Sequence, residues 1–367
     1  MRWATPILAL ALIGCGAGGG PSSSRPSPTP SASASSAPSG SPTVSPSASP
    51  TGPAALPLGV VVKDFIIDGG ANYSVSLVGV NGRVAATASG RKRGQPAGVL
   101  VQMPSISASN SRLYYLDGDS TVMFLMPDGT TGTATTVSVD SNSAAVFSVS
   151  PDDSRIAVAV ITFPYPAKTR IYVEDVQGAG HHIELFSSNT VLEWPVGWHE
   201  GHLVIAVGLN AHPQNAWDGF IYGYKGYHLA DAATGTRLAT ICDGFTASNP
   251  PVAAGTVCTN GTNYEVSDWS GATRAAPADN GCGGGVLSPD GSLIADCQGS
   301  SRTITLVARD GTQIGTQNSG IPLGWIDSTR LVITTADLDM SIVDTRAFTT
   351  THVQAQGFFG GAIPGGL

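Results

Sequence analysis

Leu287-Ser-Pro-Asp-Gly-Ser-Leu-Ile294 places a turn with a Gly at its tip between two apolar runs. Such a stretch reads as a β-hairpin, because tight hairpin turns need residues that tolerate positive φ. It has a near copy upstream, Val149-Ser-Pro-Asp-Asp-Ser-Arg-Ile156, and a looser one 43 residues earlier, Ile106-Ser-Ala-Ser-Asn-Ser-Arg-Leu113. A variant carries Trp in place of the Ser, in Pro195-Val-Gly-Trp198 and Pro322-Leu-Gly-Trp325, each followed by a Leu-Val-Ile run. A degenerate sixth copy lies near Val252 to Cys258. A second hairpin unit alternates with the first, at Ser74 to Gly82, Val122 to Gly129, Ile171 to Gly178, Tyr227 to Leu238, Tyr264 to Thr273, Ile304 to Thr312 and Ser341 to Val353. Two hairpins every 40 or so residues make one four-stranded sheet, and such sheets in tandem are the blades of a β-propeller.

The second unit occurs seven times and the first six. Ring closure explains the difference: Val60 to Ile67 and a C-terminal strand near Phe358 to Ile363 complete the first blade together, removing the last free sheet edge. The expected fold is therefore all-β, a propeller of seven four-stranded blades, with six as the alternative. Composition agrees. Asp-Gly occurs seven times and Asn-Gly three times, and Gly and Pro number 46 and 25 in 367 residues. Only 12% of residues are charged, which disfavours helical bundles and coiled coils. A net charge of −8 without a Lys/Arg stripe disfavours nucleic acid as a partner. The longest basic run, Arg91-Lys92-Arg93, reads as a solvated loop.

The segments 149–176 and 287–311 resemble the WD40-like repeat of TolB-type propellers, whose core is a Ser-Pro-Asp-Gly turn, an apolar strand, and a strand ending in Asp-Gly. The resemblance covers most of 56–367 and implies an architecture, with no activity attached. By the same resemblance, Trp198 and Trp325 are blade-packing residues.

The N-terminus reads as an address. Met1-Arg2 is followed by an apolar run, Ile7 to Ile13, too short to span a bilayer core of about 30 Å. It ends in Leu12-Ile13-Gly14-Cys15, which resembles the lipobox of bacterial lipoproteins. That implies a signal peptide over 1–14, cleavage before Cys15, and acylation of its sulfur and new amino group, enough chains for stable anchoring. Residues 15–55 then form a tether. Between Pro21 and Pro53 there are 13 Ser, 9 Pro and 3 Thr, with Arg25 the only charge, so little can be buried to offset the entropy of ordering. Frequent Pro keeps such a chain extended. The propeller domain is 56–367, carrying 16 basic and 26 acidic residues, or −10. The expected location is a bacterial cell envelope, lipid-anchored on the extracytoplasmic side of a membrane, as a monomer.

Four cysteines remain after Cys15. In an oxidising compartment they suggest two disulfides. Cys242 and Cys258 are 16 apart, Cys282 and Cys297 are 15 apart, and the second pair follows the first by 40 and 39 residues, one blade length. This predicts two intra-blade bridges, Cys242–Cys258 and Cys282–Cys297. A Cys₄ metal site lacks the Cys-x-x-Cys spacing it requires.

No catalytic set emerges. A Gly-x-Ser-x-Gly elbow, a Walker loop and a Rossmann fingerprint are missing, and Gly281-Cys-Gly-Gly-Gly285 leads into a strand instead of a helix. His199-Glu200-Gly201-His202 reads as turn decoration, and His181-His182 sits in a hairpin where neighbours point to opposite faces. Asp337-Leu-Asp339 lacks the rest of a calcium loop. No metal or cofactor is expected. The unusual stretch is Asn210 to Tyr227, carrying His212, Trp217, Phe220, Tyr222, Tyr224 and Tyr227. The corresponding loop one blade earlier holds Phe163 and Tyr165. Both join second to third strands, so both belong to one propeller face. Aromatic rings with polar tips give contact area at low entropic cost, which nominates these eight residues as a binding face, the alternative being that the loop folds back and buries its rings against the blade edge. The expected function is a non-enzymatic scaffold binding an envelope protein or glycan. The alternatives are a channel-centred envelope polysaccharide lyase or hydrolase, which needs inward carboxylates, His or Arg, and a TolB-like envelope or transport accessory protein.

Overall fold

The computed structural model describes residues 57–64, 71–94, 106–163, 168–178, 180–208, 224–243, 246–247, 251–259, 264–276, 285–298, 302–317, 320–335 and 339–367. Residues 1–56, with the expected signal peptide, Cys15 and the expected tether, fall outside them. The described residues contain strands and turns and no helix. They form seven four-stranded blades in a propeller ring.

Blade 1 joins the two ends of the domain: β1 (Leu58–Lys63), β2 (Asn72–Gly79) and β3 (Val84–Arg91) are completed by β28 (Phe358–Ile363) as the inner strand. Leu58 pairs with Ile363 and Val62 with Phe358, the closure expected from the unequal hairpin counts. Blade 2 holds β4 (Ile106–Ala108), β5 (Leu113–Asp117), β6 (Thr121–Leu125) and β7 (Thr131–Thr136), and blade 3 holds β8 (Ser143–Val149), β9 (Arg155–Thr162), β10 (Lys168–Asp175) and β11 (Ile183–Ser188). Blade 4 holds β12 (Glu193–His199), β13 (His202–Gly208), β14 (Tyr224–Ala230) and β15 (Arg237–Ile241), and blade 5 holds β16 (Thr246–Ala247), β17 (Thr256–Thr259), β18 (Tyr264–Ser267) and β19 (Thr273–Ala275). Blade 6 holds β20 (Val286–Leu287), β21 (Leu293–Gln298), β22 (Thr303–Ala308) and β23 (Gln313–Gln317), and blade 7 holds β24 (Ile321–Asp327), β25 (Arg330–Thr334), β26 (Met340–Asp344) and β27 (Thr349–His352).

The core is a series of apolar layers between neighbouring blades. Val75, Leu77, Tyr115 and Leu125 pack between blades 1 and 2, and Leu116, Val122, Phe147 and Val158 between blades 2 and 3. Val257, Val266, Leu287 and Ile294 fill the gap between blades 5 and 6, and Val61, Val78, Ile326 and Ile342 seal blade 7 to blade 1. A middle strand is covered on both faces, so β9 reads Ile156-Ala-Val-Ala-Val-Ile161, buried throughout, without the alternation of a one-sided strand. The outer strand β3 alternates exposed and buried residues as a half-covered strand should.

The repeated turn works the same way in both good copies. Ser150 Oγ donates to Asp152 (2.6 Å) and accepts from Arg155 N (2.9 Å); Ser288 Oγ donates to Asp290 (2.7 Å) and accepts from Leu293 N (2.9 Å). The next position is left-handed in each, Gly291 at φ 68° and Asp153 at φ 63°. Asp153 keeps its strained backbone while holding blade 2 to blade 3, accepting from the Tyr114 hydroxyl (2.9 Å) and the Ser111 hydroxyl (2.5 Å). The Ser150 hydroxyl holds the Asp152 carboxyl below the usual range.

Two expectations are corrected. Cys242 and Cys258 do form a disulfide, but it links the end of β15 in blade 4 to β17 in blade 5. Tyr224 of β14 also pairs with Ala247 of β16, so blades 4 and 5 form one continuous sheet. Cys297 is disulfide-bonded too, and its expected partner Cys282 lies outside the described residues. Replacing both Cys242 and Cys258 by Ala is expected to cost about 3 kcal/mol in urea denaturation; a loss under about 1 kcal/mol would mean sheet continuity alone holds the two blades. The second correction concerns the basic run. Arg91 makes a bidentate pair with Asp117 of blade 2, and Arg93 donates to Ala145 O of blade 3 (3.1 Å), so the segment is a clasp across blades. Burial depresses the Arg93 guanidinium to about 10.

Candidate binding face

Strand direction divides the connections between two faces. On the turn face, first strands meet second strands, and third meet fourth, through short hydrogen-bonded turns such as 109–112, 150–154, 200–201 and 328–329. Aspartates close several of them: Asp231 accepts from Ala233 N and Thr234 N, and Asp344 from Arg346 N and Ala347 N. The three longest connections, 92–105, 209–223 and 276–285, join strand ends on the other face. Long loops on a rigid scaffold are where binding residues concentrate.

Of the eight aromatic and imidazole residues nominated for that face, Tyr165, His212, Trp217, Phe220 and Tyr222 lie outside the described residues. Tyr224 opens β14, described there by its backbone pairing alone. Phe163 and Tyr227 are corrections. Phe163 is 7% exposed and packs against Ala144, Ile161 and Leu192; its N–H bonds Asn142 O, extending β9. Tyr227 is fully buried within β14, edge-on to Trp269 at 6.0 Å. Both are core residues, because the strands run further into each aromatic stretch than its loop-like composition suggests.

The inner strands line the channel, and their ionisable side chains are few and engaged. Those on the described residues are Glu193, His199 and Asp327. Glu193, 4% exposed, is held by Arg237 of β15 and lies 3.4 Å from His228 Nε2 of β14. Burial pushes its carboxyl up despite the adjacent guanidinium, and burial followed by Arg237 pushes the His228 imidazole down. Asp327 caps its turn by accepting from Thr329 N and pairs with Arg330. His199 donates Nδ1–H to Leu367 O (2.7 Å) and rests against Trp269.

Residues 364–367 cross the turn-face ends of three inner strands. Gly365 N bonds Ser109 O, Leu367 N bonds Trp198 O, and a Cβ at Gly197 would run into Leu367. Two further histidines, His181 and His182, have carboxylate partners. His182 is clamped between Glu174 and Glu184 at 3.0 Å each, which raises its pKa, and His181 pairs with Asp175. Among the described residues no group of three His, Cys, Asp or Glu is placed to hold a metal ion.

One concave site opens at the loop-face end of blade 3. A groove of about 450 Å³ lies between β8–β11 and the 137–142 connection from blade 2. Val139 and Val160 supply apolar surface, and hydroxyls of Ser138, Ser143, Thr162 and Ser187 surround it. Lys168 and Arg170 add two cations on one face of β10. Strand register assembles the set: Ser143 pairs with Thr162, Thr162 with Lys168, and Arg170 with both Val160 and Ser187. Sequence reading missed this groove, since its residues are spread over three strands and a connection.

No protein-family model and no curated protein matches this sequence. Solved structures similar to it include an oligogalacturonate lyase in complex with manganese, at 11% identity and TM-score 0.47, covering 76% of this chain and 87% of that one. BamB from Moraxella catarrhalis is similar at 12% identity and TM-score 0.43, covering 83% and 84%. TolB from Acinetobacter baumannii is similar at 11% identity and TM-score 0.42, covering 85% of this chain and 67% of that one. These likenesses are of architecture and assign neither activity nor partner.

Proposed function

We propose that this chain is a lipid-anchored, extracytoplasmic propeller that acts as a non-enzymatic binding platform and engages an envelope protein or glycan through its loop face. The observation that carries the reading is the asymmetry of the ring: one face closes mostly in short, internally bonded turns, and the three longest connections join strand ends on the other. The lipobox-like Leu12-Ile13-Gly14-Cys15 and the Ser/Pro/Thr-rich 15–55 support display at a distance from a membrane. Disulfide-bonded cysteines suit an oxidising compartment. A channel-centred lyase or hydrolase asks for converging ionisable groups, whereas Glu193, His199 and Asp327 are each engaged within the blades.

The test is capture from detergent-solubilised envelope with the full chain, beside a Trp217→Ala, Tyr222→Ala, Tyr224→Ala variant. The expected result is a partner lost from the variant at unchanged thermal stability. The same set captured by both proteins would remove the aromatic stretch from the binding face.

A further inference from the structure

We infer that the groove at the loop-face end of blade 3 is a binding site for a monoanionic, hydroxyl-rich ligand, an acidic sugar residue carrying one carboxylate. The inference rests on the loop-face reading, because the groove opens on that face.

Among the described residues no carboxylate pairs with Lys168, and its side chain is exposed, so its ammonium is available. Arg170 differs: Glu184 lies 3.4 Å away and the guanidinium sits 5.3 Å from the Tyr172 ring centre. The lining also holds the Asp140 carboxylate, engaged by Asn142 N and Ser143 Oγ, so the site has room for no more than a single negative charge, received by Lys168. A dianionic phosphate would be under-neutralised here, without the backbone N–H nest or helix N-terminus that usually completes such a site.

Proton order argues for hydroxyls on the ligand. Asp140 Oδ1 accepts from Asn142 N (2.9 Å) and from Ser143 Oγ (2.8 Å). Ser143 has one proton and gives it to that carboxylate, so at the 2.8 Å contact with Thr162 Oγ1 it must accept. Thr162 therefore donates inward, and its oxygen presents only lone pairs to the groove, next to Lys168. A ligand O–H meets an oriented acceptor there, with Lys168 beside it to receive a carboxylate. The Val139 and Val160 side chains suit the C–H face of a sugar ring, and about 450 Å³ lies within the usual range of small-ligand sites.

The test is a saturation-transfer NMR titration of the detergent-solubilised full chain with D-glucuronate, D-glucose, acetate and inorganic phosphate, repeated on Lys168→Gln. Glucuronate is expected to bind saturably and more tightly than the other three, and Lys168→Gln to weaken it about tenfold, the scale of one charge-assisted hydrogen bond. Equal binding of glucose removes the charge requirement, and equal binding of acetate removes the sugar. Tighter phosphate, absent glucuronate binding, or an unaffected Lys168→Gln likewise overturns the assignment. The aromatic-stretch variant leaves Lys168 in place, so loss of envelope capture and loss of glucuronate binding report separately.

Discussion

Replacing Trp198 with Ala is expected to lower stability by about 3–5 kcal/mol, the usual cost of emptying a tryptophan-sized core site. Trp198 is 3% exposed and packs with Leu203, Ile205 and Trp269. Its indole Nε1 donates to Ser148 O of the preceding blade's inner strand (3.3 Å), so the deletion also removes a blade-to-blade hydrogen bond. Trp325 repeats the arrangement in blade 7, donating to Val286 O of blade 6 (3.1 Å), within a separate core layer. Trp198→Phe keeps most of the volume and removes only the donor, which should cost about 0.5–1.5 kcal/mol. Because the two tryptophans share no core layer, Trp198→Phe and Trp325→Phe should add to within about 0.5 kcal/mol in chemical denaturation. A larger coupling would mean that the ring transmits strain between blades 4 and 7.

Arg237→Ala is expected to cost a similar amount, about 3–5 kcal/mol, for a different reason. Glu193 is almost fully buried on an inner strand, and Arg237 is its main counter-charge. Deleting the guanidinium leaves a carboxylate without compensation in a site where burial already disfavours its charged form. His228, whose pKa is pushed down by burial and by Arg237, becomes easier to protonate once Arg237 is gone and replaces it only in part. Adding Glu193→Gln to Arg237→Ala removes the stranded charge and should recover more than half of the loss. If the single variant costs less than about 1 kcal/mol, water reaches Glu193 and the pair is a surface one.

How far the sequence carried the reading depends on the range of the contacts involved. The hairpins were legible because each is closed within a few residues: Ser288, Asp290 and Ser292 bond one another, so the turn is written locally. Blade closure was legible by counting, since one hairpin lacked a partner unit and a lone strand at each end of the domain could supply it. Tyr227 misled because a strand inside two neighbours can be as aromatic as a binding loop. It stood both at the end of the aromatic stretch and at the start of the Tyr227 to Leu238 hairpin, and its pairing with Ala206 and Ile241 settles it within β14.

The sequence by itself determined the all-β class, the repeat, the joining of the two ends in one blade, and the Cys242–Cys258 pairing. All follow from turn chemistry and spacing, which need no knowledge of which strands are neighbours across a blade gap. Tertiary structure alone decided that the bridge crosses from blade 4 to blade 5, that Arg93 is a clasp, and that Glu193 meets Arg237 44 residues away. It also decided that Ser143, Thr162, Lys168 and Ser187 line one groove. Those outcomes depend on register and on blade-to-blade packing. A one-residue slip in either would turn the same side chains to the opposite face, and nothing local in the chain records which register prevails.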